Sequence, residues 1–357
     1  MSVPWIVRTD SPAEADVAGR PTVLHYGDIA SEYASLRTGG MLVDRSARGR
    51  VRIEGPKRSE ILTGLVTNDV SALSPGQGQY AAALTPKGKI VSDLRIYAEA
   101  DHLLVDTPPR SSSRWREMLR KYVNPRIAPH RDVSDELRDI GVFGPRARRL
   151  VSAVSGISTE ALGGLAPYSH LPGHTNGYGE LTVARVPDLE IEGFEIFVSA
   201  VHFDQLWDDL VSDGACPAGL MAWEIARIEA GRPEWGVEID DTTIAQEANL
   251  DELHAISYTK GCYVGQEVVA RVHFRGHVNK HLRGLLCGQN ELLPEKAILV
   301  DDQGKTVGDV RSAALSPRLG SVALGMVRRE IEPGTTLKVQ WDGAEGRADV
   351  TRLPFPL

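Results

Sequence analysis

Beyond Lys280 the chain changes texture. Mixed helical and strand patterns give way to short apolar segments broken by turn signals at Asp302-Gln303-Gly304-Lys305, Ser316-Pro317-Arg318-Leu319-Gly320 and Asp342-Gly343. Short strands joined by tight turns bury one face each and leave edges to hide, so residues 280–357 are expected to form a small antiparallel β-barrel. With 357 residues the chain exceeds one ordinary core, and two or three domains are expected.

The region before the barrel reads as α+β. Gly40 to Ile53 suggests short strands, and Gly55-Pro56 introduces a helix with an apolar stripe of Ile61, Leu62, Leu65 and Val66, ended by Asn68-Asp69. Tyr80–Leu84 and Ile90–Tyr97 read as paired strands around Pro86-Lys87-Gly88-Lys89, followed by a strand over Leu103–Asp106 and a helix carrying Trp115, Met118, Leu119 and Tyr122. A second unit follows, with strands at Ile140–Phe143, Leu181–Val186 and Phe194–Val198. Its helices span Pro145–Val154 and carry Phe203, Leu206, Trp207 and Leu210. There is no strict βαβ rhythm. Periodicity alone therefore gives α+β followed by β.

Composition excludes several classes. A net charge of −8 supplies no global basic field for nucleic acid or an anionic membrane, so no direct nucleic-acid binding is expected. Cys216, Cys262 and Cys287 lack C-x-x-C spacing, which argues against a disulfide framework or a self-contained metal site and fits a reducing cytoplasm. Met1-Ser2-Val3-Pro4-Trp5 lacks a charged n-region, and no run of 18 apolar residues occurs, so neither a signal peptide nor a membrane span is expected.

Chemistry concentrates in Lys260-Gly261-Cys262-Tyr263-Val264-Gly265-Gln266-Glu267. The two glycines permit tight turns, and Gln266 to Val272 reads as a helix burying Val268, Val269 and Val272. Cys262 then lies just before a helix N-terminus with Lys260 nearby, a setting that favours a thiolate. The alternative is an inert small hydrophobe. His273, His277 and His281 recur every four residues, but Gly276 and Val278 are expected to break the helix and separate them, so no metal site is assigned. Gly76-Gln77-Gly78-Gln79-Tyr80 lacks the third glycine of a dinucleotide fingerprint. Glu195 falls on the strand face opposite Phe194 and Ile196, which fits either solvent or a site. Arg227 and Glu229 lie on a helix from about Ala218 to Ala230, where a surface ion pair would carry little energy.

The octet resembles the signature of the YgfZ family, folate-binding proteins that support iron–sulfur enzymes and are related to the aminomethyltransferase, or T-protein, of the glycine cleavage system. The resemblance extends through Arg227-Ile228-Glu229-Ala230-Gly231-Arg232-Pro233 and Ala270-Arg271-Val272-His273-Phe274-Arg275-Gly276. It implies a three-domain ring around a central folate opening. Residues 20–50 and 140–260 would form a discontinuous first domain, residues 51–139 an inserted one, and residues 280–357 the barrel. The resemblance also implies that Tyr80 and Asp93 border the opening. Of the T-protein's two adjacent carboxylates only Asp93 is kept, since Ser92 replaces the first, and this counts against full aminomethyl transfer. Glu195 would read the N–H edge of the pterin, and Arg227 would hold a carboxylate of the glutamyl tail. Trp223, followed by Glu224, replaces an arginine of the T-protein pattern, and Cys262 replaces an acidic residue.

The function expected on this basis is cytoplasmic binding of tetrahydrofolate in support of [4Fe–4S] cluster assembly or maintenance, with an indirect effect on tRNA modification. Iron–sulfur client enzymes or assembly proteins would be the partners, and Cys262, Lys260 and Asp93 the reactive groups. The alternative is a tetrahydrofolate-dependent aminomethyl or methyl transferase.

Overall fold

The computed structural model describes residues 14–175, 177–288 and 292–356, so Met1–Trp5 lie outside the described residues. The turn-rich tail closes into a six-stranded antiparallel barrel. Its order is Lys280–Cys287, Gly320–Arg328, Thr306–Ser316, Ile298–Val300, Thr336–Trp341 and Ala344–Thr351, the last pairing back to the first. Leu285, Leu299, Val310, Ala323, Val339 and Val350 fill its interior. Asp342 and Gly343 both take positive φ, 42° and 79°, in the two-residue turn joining the final strands.

Two larger sheets precede the barrel, besides the two-stranded ribbon Glu14–Val17 with Arg20–Val23. One has five antiparallel strands in the order Gly78–Leu84, Ile90–Ala98, His102–Thr107, Gly49–Glu54 and His130–Asp132. The other has six, in the order His170–Thr175, Gly179–Arg185, Gly193–Ser199, Leu137–Phe143, Met41–Asp44 and Cys216–Pro217, with only the last pair parallel. The chain leaves the six-stranded sheet at Asp44, builds the five-stranded one, and returns at Leu137.

Strand alternation decides what lies between these sheets. Leu94 and Ile96 join the apolar cluster of Trp115 and Leu119, from helix Ser112–Tyr122. Phe194, Ile196 and Val198 likewise pack with Leu150 and Val151 of helix Ala147–Ser155 and with Leu206 and Leu210 of helix Phe203–Ser212. Their neighbours Asp93, Arg95 and Tyr97 on one strand, and Glu195 and Phe197 on the other, point the opposite way. The rings of Tyr97 and Phe197 meet at 5.3 Å. The charged positions are therefore carried into the junction of the two sheets.

Two local expectations need correction. Helix Arg58–Thr63 stops at Gly64, before Leu65 and Val66, and Val66 instead bridges to Ala83. Helix Gln266–Arg275 forms where expected, with Gly265 at its start, but fully buries only Val269, while Val268 and Val272 are half-buried. The helix ends at Arg275, so His273, His277 and His281 do not share a helical face, and His281 lies in the first barrel strand. No helix among the described residues is long and apolar enough to cross a membrane.

Candidate functional site

The junction is a lattice of buried charges. Arg95 donates to Glu195 Oε2 at 2.5 Å and pairs with Asp188. Arg48 Nε lies 2.6 Å from Asp106, which also faces Arg95 at 3.6 Å and Arg50 at 3.8 Å. Arg45 approaches Glu195 at 3.7 Å and covers the ring of Trp223 at 3.8 Å. Buried charges persist only when paired, and the partners here come from both sheets, so the lattice fixes one sheet against the other.

Beside it is a narrow opening with a cavity of about 20 Å³. Tyr80 and Asp93, from neighbouring strands, form part of its wall. Asp93 is 5% exposed. The Tyr80 hydroxyl donates to Asp93 Oδ2 at 2.9 Å, while Oδ1 is sealed from solvent with no partner. Burial, then the charge of Glu234, push the Asp93 carboxyl up to about 6 against the pull of Arg48 and of the Tyr80 hydrogen bond. Tyr80 stacks on Tyr168 at 6.0 Å and lies under the Arg232 guanidinium at 5.1 Å. Arg232 donates to the Tyr168 hydroxyl at 2.8 Å and to Asp188 Oδ1 at 3.0 Å. The chemistry on offer is a protonatable carboxyl with an unpartnered oxygen, beside aromatic rings.

The residues singled out from the sequence fall into separate places. Glu195 is 0% exposed, so the solvent reading is overturned, yet it sits behind Arg95 and is not among the residues lining the opening. Arg227 does line it, but its donors are committed: Nε and Nη2 to Glu224, and Nη1 to Glu238 at 3.0 Å and to the Arg232 carbonyl at 2.7 Å. The surface-pair reading of Arg227 and Glu229 is likewise overturned, since both are buried. Glu229 accepts from the Tyr33 hydroxyl at 2.7 Å, from Arg37 at 3.1 Å and from Ser316 of the barrel. Ser92 is turned away, 2.8 Å from Ser111 Oγ.

Lys260 is not a neighbouring charge held ready for the thiol. Its ammonium donates to the carbonyls of Thr63, Val66 (2.6 Å) and Asn68 (2.9 Å), and burial pulls it down to about 8. These bonds clamp the Cys262 segment onto the five-stranded domain, and Cys262 itself is exposed. Burial pushes the Cys287 thiol up to about 11.

Sequence reasoning missed Arg48, Arg95, Asp188, Arg232 and Glu234. Arg95 was within reach of it, because it shares a strand face with Asp93 two residues away. Asp188, Arg232 and Glu234 lie in irregular segments, where periodicity carries no signal.

Comparison with known proteins agrees with this architecture. Residues 16–257 match the GCVT N-terminal domain, and residues 280–356 match the glycine cleavage T-protein C-terminal barrel domain. An aminomethyltransferase from Rubrobacter xylanophilus is 31% identical over 95% of this chain and 89% of its own. One from Thermotoga neapolitana is 30% identical over 95% of this chain and 93% of its own. The crystal structure of glycine cleavage system aminomethyltransferase T from Bartonella henselae superposes with a TM-score of 0.87 at 22% identity, covering 96% of this chain and 94% of that one, and so shares the fold. With its α/β body, its closed antiparallel barrel and both family domains in sequence, this chain belongs to the glycine cleavage T-protein family.

Proposed function

We propose that the chain binds a reduced folate in the opening lined by Tyr80 and Asp93 and acts as a tetrahydrofolate-dependent aminomethyl or methyl transferase. The observation that carries this reading is Asp93: one oxygen is fixed by Tyr80, the other is buried without a partner, and burial pushes the carboxyl up to about 6. An unpartnered oxygen suits the N–H edge of a pterin, and a proton affinity near neutrality suits general acid–base work. Tetrahydrofolate would supply the amine nitrogens that accept or deliver the one-carbon unit. The aminomethyltransferases that match along nearly the whole chain support the same reading. Glu195 serves here by holding Arg95 rather than by touching the ligand, and Arg227 by bracing the wall. The division into residues 20–50 with 140–260, residues 51–139 and residues 280–357 is adopted as part of this reading.

A second reading rests on Cys262, which is exposed on the clamped octet that resembles YgfZ. In it the same folate site serves a protein that supports [4Fe–4S] client enzymes, with Cys262 as the reactive group. Calorimetry with tetrahydrofolate separates binding from chemistry. Asp93→Ala should weaken binding about ten- to a hundredfold, and no heat with the native protein would end both readings. A one-carbon transfer assay then tests the first reading. Recovery of client activity by Cys262→Ser in a deletion strain would end the second.

A further inference from the structure

A second cavity, of about 560 Å³, lies between the ribbon, the six-stranded sheet and the start of helix Ser112–Tyr122. Neither Tyr80 nor Asp93 lines it. Its size is that of a small-molecule site. The walls carry Arg20 of the ribbon, Arg110 of the loop before the helix, Arg116 of the helix and Arg138 of strand Leu137–Phe143, against the carboxylates of Asp44 and Asp135. In a chain of net charge −8, four guanidinium groups around one cavity reverse the sign locally.

Two of these arginines are engaged. Arg20 pairs at 2.7 Å with Asp135, whose side chain is 89% exposed, and Arg116 pairs with Asp132. Arg138 differs from both: it is half-buried, and its guanidinium makes no hydrogen bond and no ion pair among the described residues. Ser112 is an independent sign. It is only 8% exposed, it lines the cavity, and its hydroxyl makes no hydrogen bond among the described residues. Gly49, on the same wall, leaves room for that hydroxyl, since a Cβ there would collide with it. Ser112 also opens the helix, and Ser111 before it supplies no side-chain cap, so the first-turn N–H groups and the positive end of the dipole belong to the same wall. Buried hydroxyl groups are ordinarily paired. Here the hydroxyl, the first turn and the Arg138 guanidinium are all donors that the chain itself leaves without an acceptor.

We propose that this cavity binds a small, multiply charged oxyanion, with Arg138 and Ser112 as its principal donors and Arg20 and Arg110 as flanking positive charge. Phosphate and carboxylate oxygens share the chemistry required. A guanidinium fork offers two parallel N–H groups, the hydroxyl offers one more donor, and a helix start adds backbone N–H groups. The inference stands apart from the folate reading, because Tyr80 and Asp93 take no part in it.

Calorimetry on the full-length protein at low salt tests this, with pyrophosphate and citrate as probes. At least one should bind with a dissociation constant below about 1 mM, and the affinity should fall as sodium chloride is raised. Binding of pyrophosphate alone assigns the site to phosphates, of citrate alone to carboxylates, and of both to the shared oxyanion class. Arg138→Gln should weaken binding about ten- to a hundredfold, and Ser112→Ala about fivefold. Arg138 holds no partner in the chain, so its replacement should leave the melting temperature within about 2 °C of the native value. Lys305→Gln removes the same unit of charge from an exposed side chain of the barrel domain and should leave the affinity unchanged. Binding of neither probe, or equal weakening by Arg138→Gln and Lys305→Gln, overturns the proposal. Neither probe contains a pterin, so that failure is distinct from a failure of tetrahydrofolate to bind.

Discussion

At Asp93 a buried carboxyl meets opposed fields, and the balance favours its proton. Folding raises its value from 3.8 to about 6, so the folded chain holds a proton that the unfolded chain releases across that window. The stability linked to this group is fully present below the unfolded value and is lost as pH rises through the folded one. Asp93→Asn cannot ionise. In thermal melts it should match the native protein near pH 4 and exceed it by about 1–3 kcal/mol at pH 7.5. The cysteines make a second contrast at this scale. Cys262 is exposed, whereas Cys287 is half-buried and burial pushes its thiol up to about 11. Iodoacetamide at neutral pH should therefore modify Cys262 first. Loss of the fast phase in Cys262→Ser, at unchanged melting temperature, checks the assignment, and persistence of that phase would refute it.

Among the elements, the approach to helix Gln266–Arg275 is the most tightly specified. Gly265 has φ 84°, and a Cβ there would lie 2.6 Å from the Thr85 carbonyl and 2.9 Å from the Leu84 Cβ. Gly88, at the tip of the hairpin between Gly78–Leu84 and Ile90–Ala98, would likewise press a Cβ to 2.6 Å from Val268. Both glycines therefore allow a close approach where the Cys262 segment meets the five-stranded sheet, Gly265 to the Thr85 carbonyl and Gly88 to the Val268 side chain. Gly265→Ala should lower stability by about 2 kcal/mol or more, combining left-handed strain with a clash against an immobile strand. Chemical denaturation measures this, and a loss below about 0.5 kcal/mol would show that the segment is only loosely seated. Helix starts and hairpins were legible in the sequence because local spacing encodes them. The early stop of helix Arg58–Thr63 was not, because Val66 is claimed by a bridge to Ala83 of a strand formed later in the chain.

Across the whole molecule, the buried ion pairs fix the sheets and Glu229 fixes the barrel. Glu195→Ala would leave Arg95 with one of its partners gone and should cost about 3–5 kcal/mol, as expected when one member of a buried pair is removed. If equilibrium unfolding shows less than about 1 kcal/mol, the lattice does not join the sheets. The sequence by itself determined the barrel, the α+β body and most strand and helix positions, and its motif resemblance singled out Tyr80 and Asp93, which line one opening. Alternation, turn residues and motif resemblance are local properties that survive without a fold. Only the tertiary structure decided which charges meet. Glu195 was turned inward to Arg95, Arg227 was absorbed by Glu224 and Glu238, Lys260 was tied to three carbonyls, and Glu234 was brought to the same opening as Asp93. Burial and through-space electrostatics depend on distance in the folded chain, which sequence spacing does not encode.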